Sequence, residues 1–507
     1  MIPASCSTCA FATAALALCS MGVCPLAYGS ADAPQGTKVR EPAVAGQFYP
    51  SDPGELAGQI DAYLTQAQAQ PVGELKALVC PHAGYVYSGP VAAYAYKLLE
   101  GRHYDTVVVM GPSHYAYMRA CALPDAAEYR TPLGDVPISR KAALLAQSRP
   151  FALDPPCAVQ RPGWASMVQR VVRGRDTAET WEHSVEVEIP FLQKTLKSFE
   201  LVPVVCGDVD PAQAARALAP FLDDRTLFVA SSDLSHYYKY DEARRLDHDC
   251  VSAICSLDLK SMENQQACGK IPILILMNIA KERGWKVRLL DCRNSGDTSG
   301  DTSAGVVGYA AIAFYAPFGS QLGAQQRQSL LKIARRALRE SVATGRIPEG
   351  APAEPGLAAP RGCFVTLTRD GALRGCIGNL AAQGPLFQAV AENARSAALD
   401  DPRFRPVSAG EVDGLRIEVS VLSEAQRLSF SSPEDLLLKL QPGVDGVILR
   451  IGNRMATYLP QVWEQLPDKE RFLDSLAEKA GCEPSDWRKP GTNVYLYEVE
   501  SFKEPGA

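Results

Sequence analysis

The sequence predicts an α/β protein in two parts, and three observations predict it. First, three apolar runs of β-type residues each end in a small-residue turn that carries a histidine. Ala77–Cys80 leads to His82, Thr106–Met110 to His114, and Thr226–Ala230 to His236. Second, segments with helical periodicity lie between these runs, as parallel strands require. Third, a Pro/Gly/Ser/Gln stretch at 317–326 separates this region from one with a helix and a hairpin of its own. The 507 residues are 47% hydrophobic and 21% charged, a globular composition long enough for about two to four domains.

In an open α/β sheet, ligands bind outside the carboxyl ends of the parallel strands. If the three strands share one such sheet, His82, His114 and His236 converge on one rim. The alternative is that each is a satisfied polar residue in a turn. All six histidines fall between residues 82 and 248, a clustering that a metal site would produce.

The elements follow in order. Residues 53–68 form an amphipathic helix with Leu56, Ile60 and Leu64 on one face. The first histidine strand comes next, then a helix over 90–99 and the second histidine strand. Residues 115–175 read as irregular, with a short helix within 137–147. In Trp181–Phe191, His183 and Glu186 stand at i,i+3, so on a helix they share a face. That spacing suits a ligand pair, or a base with its orienting carboxylate; a helix start with surface acids fits equally well.

Leu201–Cys206 reads as a strand. Beyond His236, the charged segment holding His248 reads as a solvated helix face. Cys268 opens an apolar helix, where the macrodipole favours thiolate; the alternative is a small buried side chain. The Gly/Asp/Ser/Thr stretch 294–303 reads as a loop, and Val306–Tyr315 closes the first domain as a strand. Residues 328–344 form an amphipathic helix. Cys363–Leu367 and Leu373–Gly378 flank Asp370–Gly371 as a hairpin. There Arg374 stands near Cys376 and would lower its thiol pKa, unless the pair only packs a strand with a glycine bulge. A helix at 385–398, strands at 415–422 and 446–451, and a helix at 473–479 complete the chain.

The net charge of −6 gives no electrostatic footprint for nucleic acid. From Thr37 on, no apolar run approaches the ~18 residues of a membrane span. Fifteen cysteines, with neither zinc-ribbon spacing nor a disulfide framework, favour a reducing compartment and a cytoplasmic protein. Residues 1–36 are set apart. Cys9–Tyr28 is apolar and uncharged, and a small-residue stretch follows, as in a secretory signal, yet no Lys or Arg precedes it. Export is therefore the alternative localisation.

Pro-His-Ala-Gly-Tyr (81–85), Gly-Pro-Ser-His (111–114), Glu-His-Ser-Val-Glu (182–186), Ser-Asp-Leu-Ser-His (232–236) and Cys-Gly-Lys-Ile-Pro-Ile (268–273), in that order, make residues 38–318 resemble the Memo family. Leu-Arg-Gly-Cys-Ile-Gly (373–378), Asp-Pro-Arg-Phe (401–404) and Pro-Gly-Val-Asp-Gly-Val (442–447) make the remainder resemble the AMMECR-type domain. The chain is thus similar to a fusion of proteins B and A of the AmmeMemoRadiSam system. The domains expected are 38–318 and 328–507, with a linker at 319–327.

The resemblance implies a fold like that of class III extradiol dioxygenases, followed by a smaller α+β domain. It implies a metal held by His82, His114 and Cys268, with Asp233 and His236 beside it and His183 as a further pocket histidine. Two histidines and one anionic ligand suit iron(II), with copper or zinc as alternatives. The glutamate ligand of true dioxygenases has no counterpart in the sequence. Asp233, His236, His183 and, in the second domain, Cys376 are the candidate catalytic residues. The function expected is a metal-dependent redox enzyme; the rival is a metal-binding scaffold that docks a partner. A radical-SAM protein is the implied partner, and the substrate is a small molecule or peptide.

Overall fold

The computed structural model describes residues 38–68, 72–167, 175–316, 322–348, 354 and 356–505. The signal-like segment and the first three residues of the expected linker, 319–321, lie outside the described residues. In the first domain the elements that position the site are α1 (Pro53–Gln66), β1 (Glu74–Cys80), α2 (Tyr85–Tyr96), β2 (Thr106–Pro112), β3 (Cys121–Leu123), β4 (Phe151–Leu153), α3 (Ile189–Thr195), β5 (Glu200–Cys206), α4 (Pro211–Leu218), β6 (Thr226–Ser231), β7 (His236–Tyr238), α5 (Tyr240–Cys255), α6 (Lys270–Arg283), β8 (Lys286–Asn294) and β9 (Val306–Ala316).

These strands build one sheet in the order β7-β9-β1-β6-β2-β5-β3-β4, with β8 pairing β9. The central four, β1, β6, β2 and β5, run parallel. The three histidine-bearing strands are therefore direct neighbours and end on the same rim. Alternate residues explain their continuous apolar character, since such strands are buried on both faces. Leu78, Val107, Val109 and Val229 pack under α1 and α2 on one face, and Val79, Val108, Met110 and Ala230 pack under α4, α5 and α6 on the other.

Two stretches differ from the sequence reading. Residues 115–175 contain several short strands besides the helix Arg140–Leu145, each too short to show a period of two. The loop at 294–303 holds a short helix, Ser295–Ser299, fixed by reciprocal capping between Asn294 and Asp297.

The second domain is α+β. Its elements are α7 (Ala324–Thr344), β10 (Cys363–Arg369), β11 (Ala372–Asn379), α8 (Leu386–Leu399), β12 (Leu415–Leu422), β13 (Gln426–Leu428), β14 (Gly446–Ile451), β15 (Arg454–Tyr458), α9 (Lys469–Lys479), β16 (Asn493–Tyr497) and β17 (Val499–Lys503). Helix α7 begins at Ala324, inside the stretch read as linker. The strands form two antiparallel sheets, β11-β10-β12-β17 and β13-β16-β14-β15. The β10–β11 hairpin turns on Asp370 and Gly371, both at positive φ (50° and 81°), as a tight Asp-Gly hairpin requires.

Candidate metal centre

The rim of the parallel sheet assembles the site. The turn after β1 carries His82, which is 1% exposed. Its main-chain N–H donates to Asp233 Oδ1 at 2.9 Å, and its Nδ1 lies 2.7 Å from Ser231 Oγ. Nε2 points the other way, 3.3 Å from Cys268 Sγ. The turn after β2 carries His114, whose Nδ1 donates to Glu182 Oε1 at 2.9 Å and whose main-chain N–H donates to Glu182 Oε2 at 2.6 Å. His183 stacks on His114 with ring centroids 4.6 Å apart. One ring nitrogen from each of His82, His114 and His183 lies within 4.8 Å of the others.

Glu182 anchors this arrangement. Besides His114, it accepts the main-chain N–H groups of His183 at 2.9 Å and Ser184 at 3.0 Å. Burial opposes its charge, but these donors and the His114 ring hold its pKa well below the usual carboxylate range. Burial likewise disfavours charge on His114, and the Glu182 carboxylate reverses that, raising its pKa to about 10. The His82 ring has no carboxylate in contact; burial, with the His114 and His183 rings, pushes its pKa well below the ordinary value. His183 is pushed down to about 4, burial outweighing Glu182.

The donor set fits a metal ion. Nδ1 of His82 and of His114 each has an oxygen partner, which leaves the Nε2 atoms for an ion, as ligand histidines require. His183 Nδ1 is buried and makes no hydrogen bond, lying 3.4 Å from Glu182 Oε1. Cys268 lies beside this three-histidine group, its Sγ 3.3 Å from His82 Nε2. Its sulfur accepts the Asp233 main-chain N–H at 3.2 Å, and its own main-chain N–H donates to the Asp233 carbonyl at 3.2 Å. Gly269 is obligatory beside it, because a Cβ there would sit 2.3 Å from the Ser231 carbonyl oxygen.

Residues 40–313 match the family model for Memo-like proteins, and residues 331–502 match that for AMMECR1. The chain belongs to the Memo family. A MEMO1 family protein of Methanopyrus kandleri is 38% identical over 300 residues, spanning 54% of this chain and 98% of its own. One from Thermoplasma volcanium is 36% identical over 289 residues, 54% of this chain and 97% of its own. A solved structure of an uncharacterized protein from Pyrococcus horikoshii is 38% identical over 35% of this chain and 91% of its own, with a TM-score of 0.34. The Memo region is therefore joined here to an AMMECR1 region in one chain.

The structure brings together His82, His114, Cys268 and His183 from four separate parts of the Memo region. Asp233 lies behind His82 as a clamp on its turn, its carboxyl pushed up to about 7 by burial. His236 stands at the edge of the group; its Nδ1 donates to the Leu234 carbonyl at 2.8 Å, which leaves Nε2 as an acceptor.

Two sequence expectations are corrected. His183 and Glu186 do not share a helix face, because His183 precedes a short 3-10 turn, Glu186–Glu188. Glu186 faces away, ion-paired with buried Arg40 and accepting Tyr49 Oη at 2.6 Å and the main-chain N–H groups of Ala43 and Val44. The Cys268 thiol is not favoured as thiolate by a helix end: α6 starts only at Lys270, and burial pushes the thiol pKa up although His114 pulls the other way.

The sequence reading missed Glu182, Glu188 and Ser231 as site residues. The signal was available in the acids at 182, 186 and 188, which run straight into the apolar Ile189–Leu192. All three are at most 1% exposed.

In the AMMECR1 region, Cys376 lies on β11, an edge strand. Its sulfur accepts Thr366 Oγ1 at 3.2 Å and its main-chain N–H donates to Asp401 Oδ2 at 2.8 Å. The arginine that reaches it is Arg403, whose Nη2 donates to the Cys376 carbonyl at 3.1 Å. Arg374 instead turns to Glu411, 3.2 Å from Nε to Oε1. Asp401 and Arg403 thus strap the free edge of β11.

Among the described residues no helix is long and apolar enough to cross a membrane.

Proposed function

We propose that the Memo region is a metal-dependent redox enzyme, similar to the extradiol dioxygenases, with His82, His114 and Cys268 as ligands. The observation that carries this reading is the orientation of the two imidazoles: each spends Nδ1 on an oxygen partner and aims Nε2 at a common point beside a thiol. Iron(II) or copper suits two imidazoles with one thiolate and open positions; zinc is the further alternative. When bound, the ion would supply redox and Lewis-acid chemistry there.

The chain's own residues have distinct tasks. Glu182 fixes the ring of His114. Asp233 fixes the turn of His82. His236, with Nε2 unprotonated, takes up a proton from substrate at that atom. His183, its Nδ1 3.4 Å from Glu182 Oε1, lines the pocket and binds a polar group of the substrate. In the AMMECR1 region, Cys376 acts as a thiol toward a small molecule or peptide. The resemblance to the AmmeMemoRadiSam proteins makes a radical-SAM protein the partner in this reading.

A metal-binding scaffold that docks a partner is the second reading. The exposed rings of Tyr117 (67%) and Tyr237 (79%), close in sequence to His114 and His236, favour it.

Anaerobic purification with metal analysis, followed by O₂ uptake with and without reductant, tests both. Bound iron or copper with O₂ uptake lost in His82→Ala supports the enzyme. Iron or copper without turnover supports the scaffold, and stoichiometric zinc that resists exchange marks a structural site and defeats both. For the second region, Cys376 is expected to react with iodoacetamide faster than the other cysteines, including the partly exposed Cys157 and Cys482; equal labelling would refute its role as a reactive thiol.

A further inference from the structure

Ser231 Oγ touches three groups. The Ser184 carbonyl oxygen is 2.6 Å away, Glu188 Oε1 2.7 Å and His82 Nδ1 2.7 Å. A serine hydroxyl has one proton to give and two lone pairs to receive with. The Ser184 carbonyl has no proton, so the contact between the two oxygens takes the Ser231 proton. The other two groups must then each bring one. An ionised carboxylate brings none, so Glu188 meets this geometry only as a carboxylic acid with its proton on Oε1.

The surroundings agree. Glu188 Oε2 accepts the Tyr96 hydroxyl at 2.6 Å. Glu182 has the His114 ring at 2.9 Å and Glu186 has the Arg40 guanidinium as ion-pair partners. Among the described residues Glu188 has no ion-pair partner, and it is 1% exposed. A lone buried carboxylate is costly and takes up a proton instead.

We propose that Glu188 is a positioning residue for His82: as a neutral acid it donates to Ser231 Oγ, Ser231 accepts the Nδ1 proton of His82, and the His82 Nε2 lone pair is thereby turned toward Cys268 and the pocket. The two imidazoles are thus oriented by different devices. His114 leans directly on an anion, which strengthens its ring as a base. His82 leans on a neutral relay of Tyr96, Glu188 and Ser231, which sets the tautomer without adding charge. This rests on the reading of His82 as a metal ligand.

The test uses the full-length, metal-free protein at neutral pH, with ¹⁵N-labelled histidine, and then Fe(II) alone as the probe. Wild type is expected to show the His82 ring protonated on Nδ1 and the infrared carbonyl band of a protonated carboxylic acid. Glu188→Gln removes one component of that band and leaves those of Glu179 and Asp233, whose carboxyls burial also raises. Its amide still donates to Ser231 and accepts from Tyr96, so tautomer and Fe(II) affinity stay as in wild type. Glu188→Leu loses the tautomer preference and weakens Fe(II) binding by about 10–100-fold. A wild-type spectrum with no protonated-acid component that disappears in Glu188→Gln overturns the proposal. So does a His82 tautomer that shifts as far in Glu188→Gln as in Glu188→Leu. If wild type keeps band and tautomer but binds no Fe(II), the metal reading falls and the relay stands.

Discussion

Glu182 shows how much one buried carboxylate organises. It accepts four N–H groups, two of them from His114. Glu182→Gln keeps the shape but removes the charge and turns part of the acceptor into a donor. Fe(II) affinity is expected to fall by about 10–100-fold, read by competition with a chelator; unchanged affinity would mean that His114 is held by other contacts. Glu188 behaves oppositely. Burial raises its pKa to about 8 in the folded state, against about 4.3 in an unfolded chain. Below the lower value both states are protonated and its contribution to stability is complete. As pH rises toward about 8 the unfolded chain releases the proton first, so stability is lost. Glu188→Gln has no such proton, and its urea midpoint should fall less over this range than that of wild type. Glu179, Asp233 and Asp247 are also raised by burial, so the slope is reduced rather than abolished.

At the scale of elements, close approach decides which residues are tolerated. The edge strand β11 packs against α8 at Gly375, where a Cβ would stand 2.0 Å from the Ala397 carbonyl oxygen. Gly375→Ala must push the helix away, and a loss of about 1–3 kcal/mol is expected for the AMMECR1 region. Denaturant unfolding followed by the fluorescence of buried Trp463 and Trp487 measures it. An unchanged midpoint would show that α8 yields freely. The hairpin beside it was legible from Asp370–Gly371, because the turn needs positive φ at both positions. The edge strap was not legible: Asp401 lies 25 positions from Cys376 and meets it only across the sheet edge.

The whole molecule is joined along β8, the edge strand of the large sheet. Buried Arg288 pairs with buried Asp445 of the second domain at 2.8 Å. Gln441 Nε2 donates to the Val287 carbonyl at 2.6 Å, which covers part of an otherwise free edge. Tyr315 Oη donates to Glu498 Oε1 at 2.5 Å. Asp445→Ala leaves the Arg288 charge buried without its partner, at a cost of about 3–5 kcal/mol. Calorimetry is expected to resolve two transitions where the wild type shows stronger coupling. A thermogram identical to wild type would mean that the seam does not link the domains energetically.

The sequence by itself determined the parallel strands, because runs such as Val107–Met110 are apolar at every position and must be buried on both faces. It determined the histidine turns for the same reason: a polar residue directly after a buried strand has to lie at the sheet's end. Tertiary structure alone decided the company those histidines keep. Cys268 stands 186 positions from His82, and nothing local announces that contact; the family resemblance supplied it. The acids at 182, 186 and 188 look like a solvated helix start when read along the chain. Folding closes α2, the N-terminal segment around Arg40 and the strand ends over them. Whether an acid there is charged, as at 182, or neutral, as inferred at 188, then depends on which donors those distant segments bring.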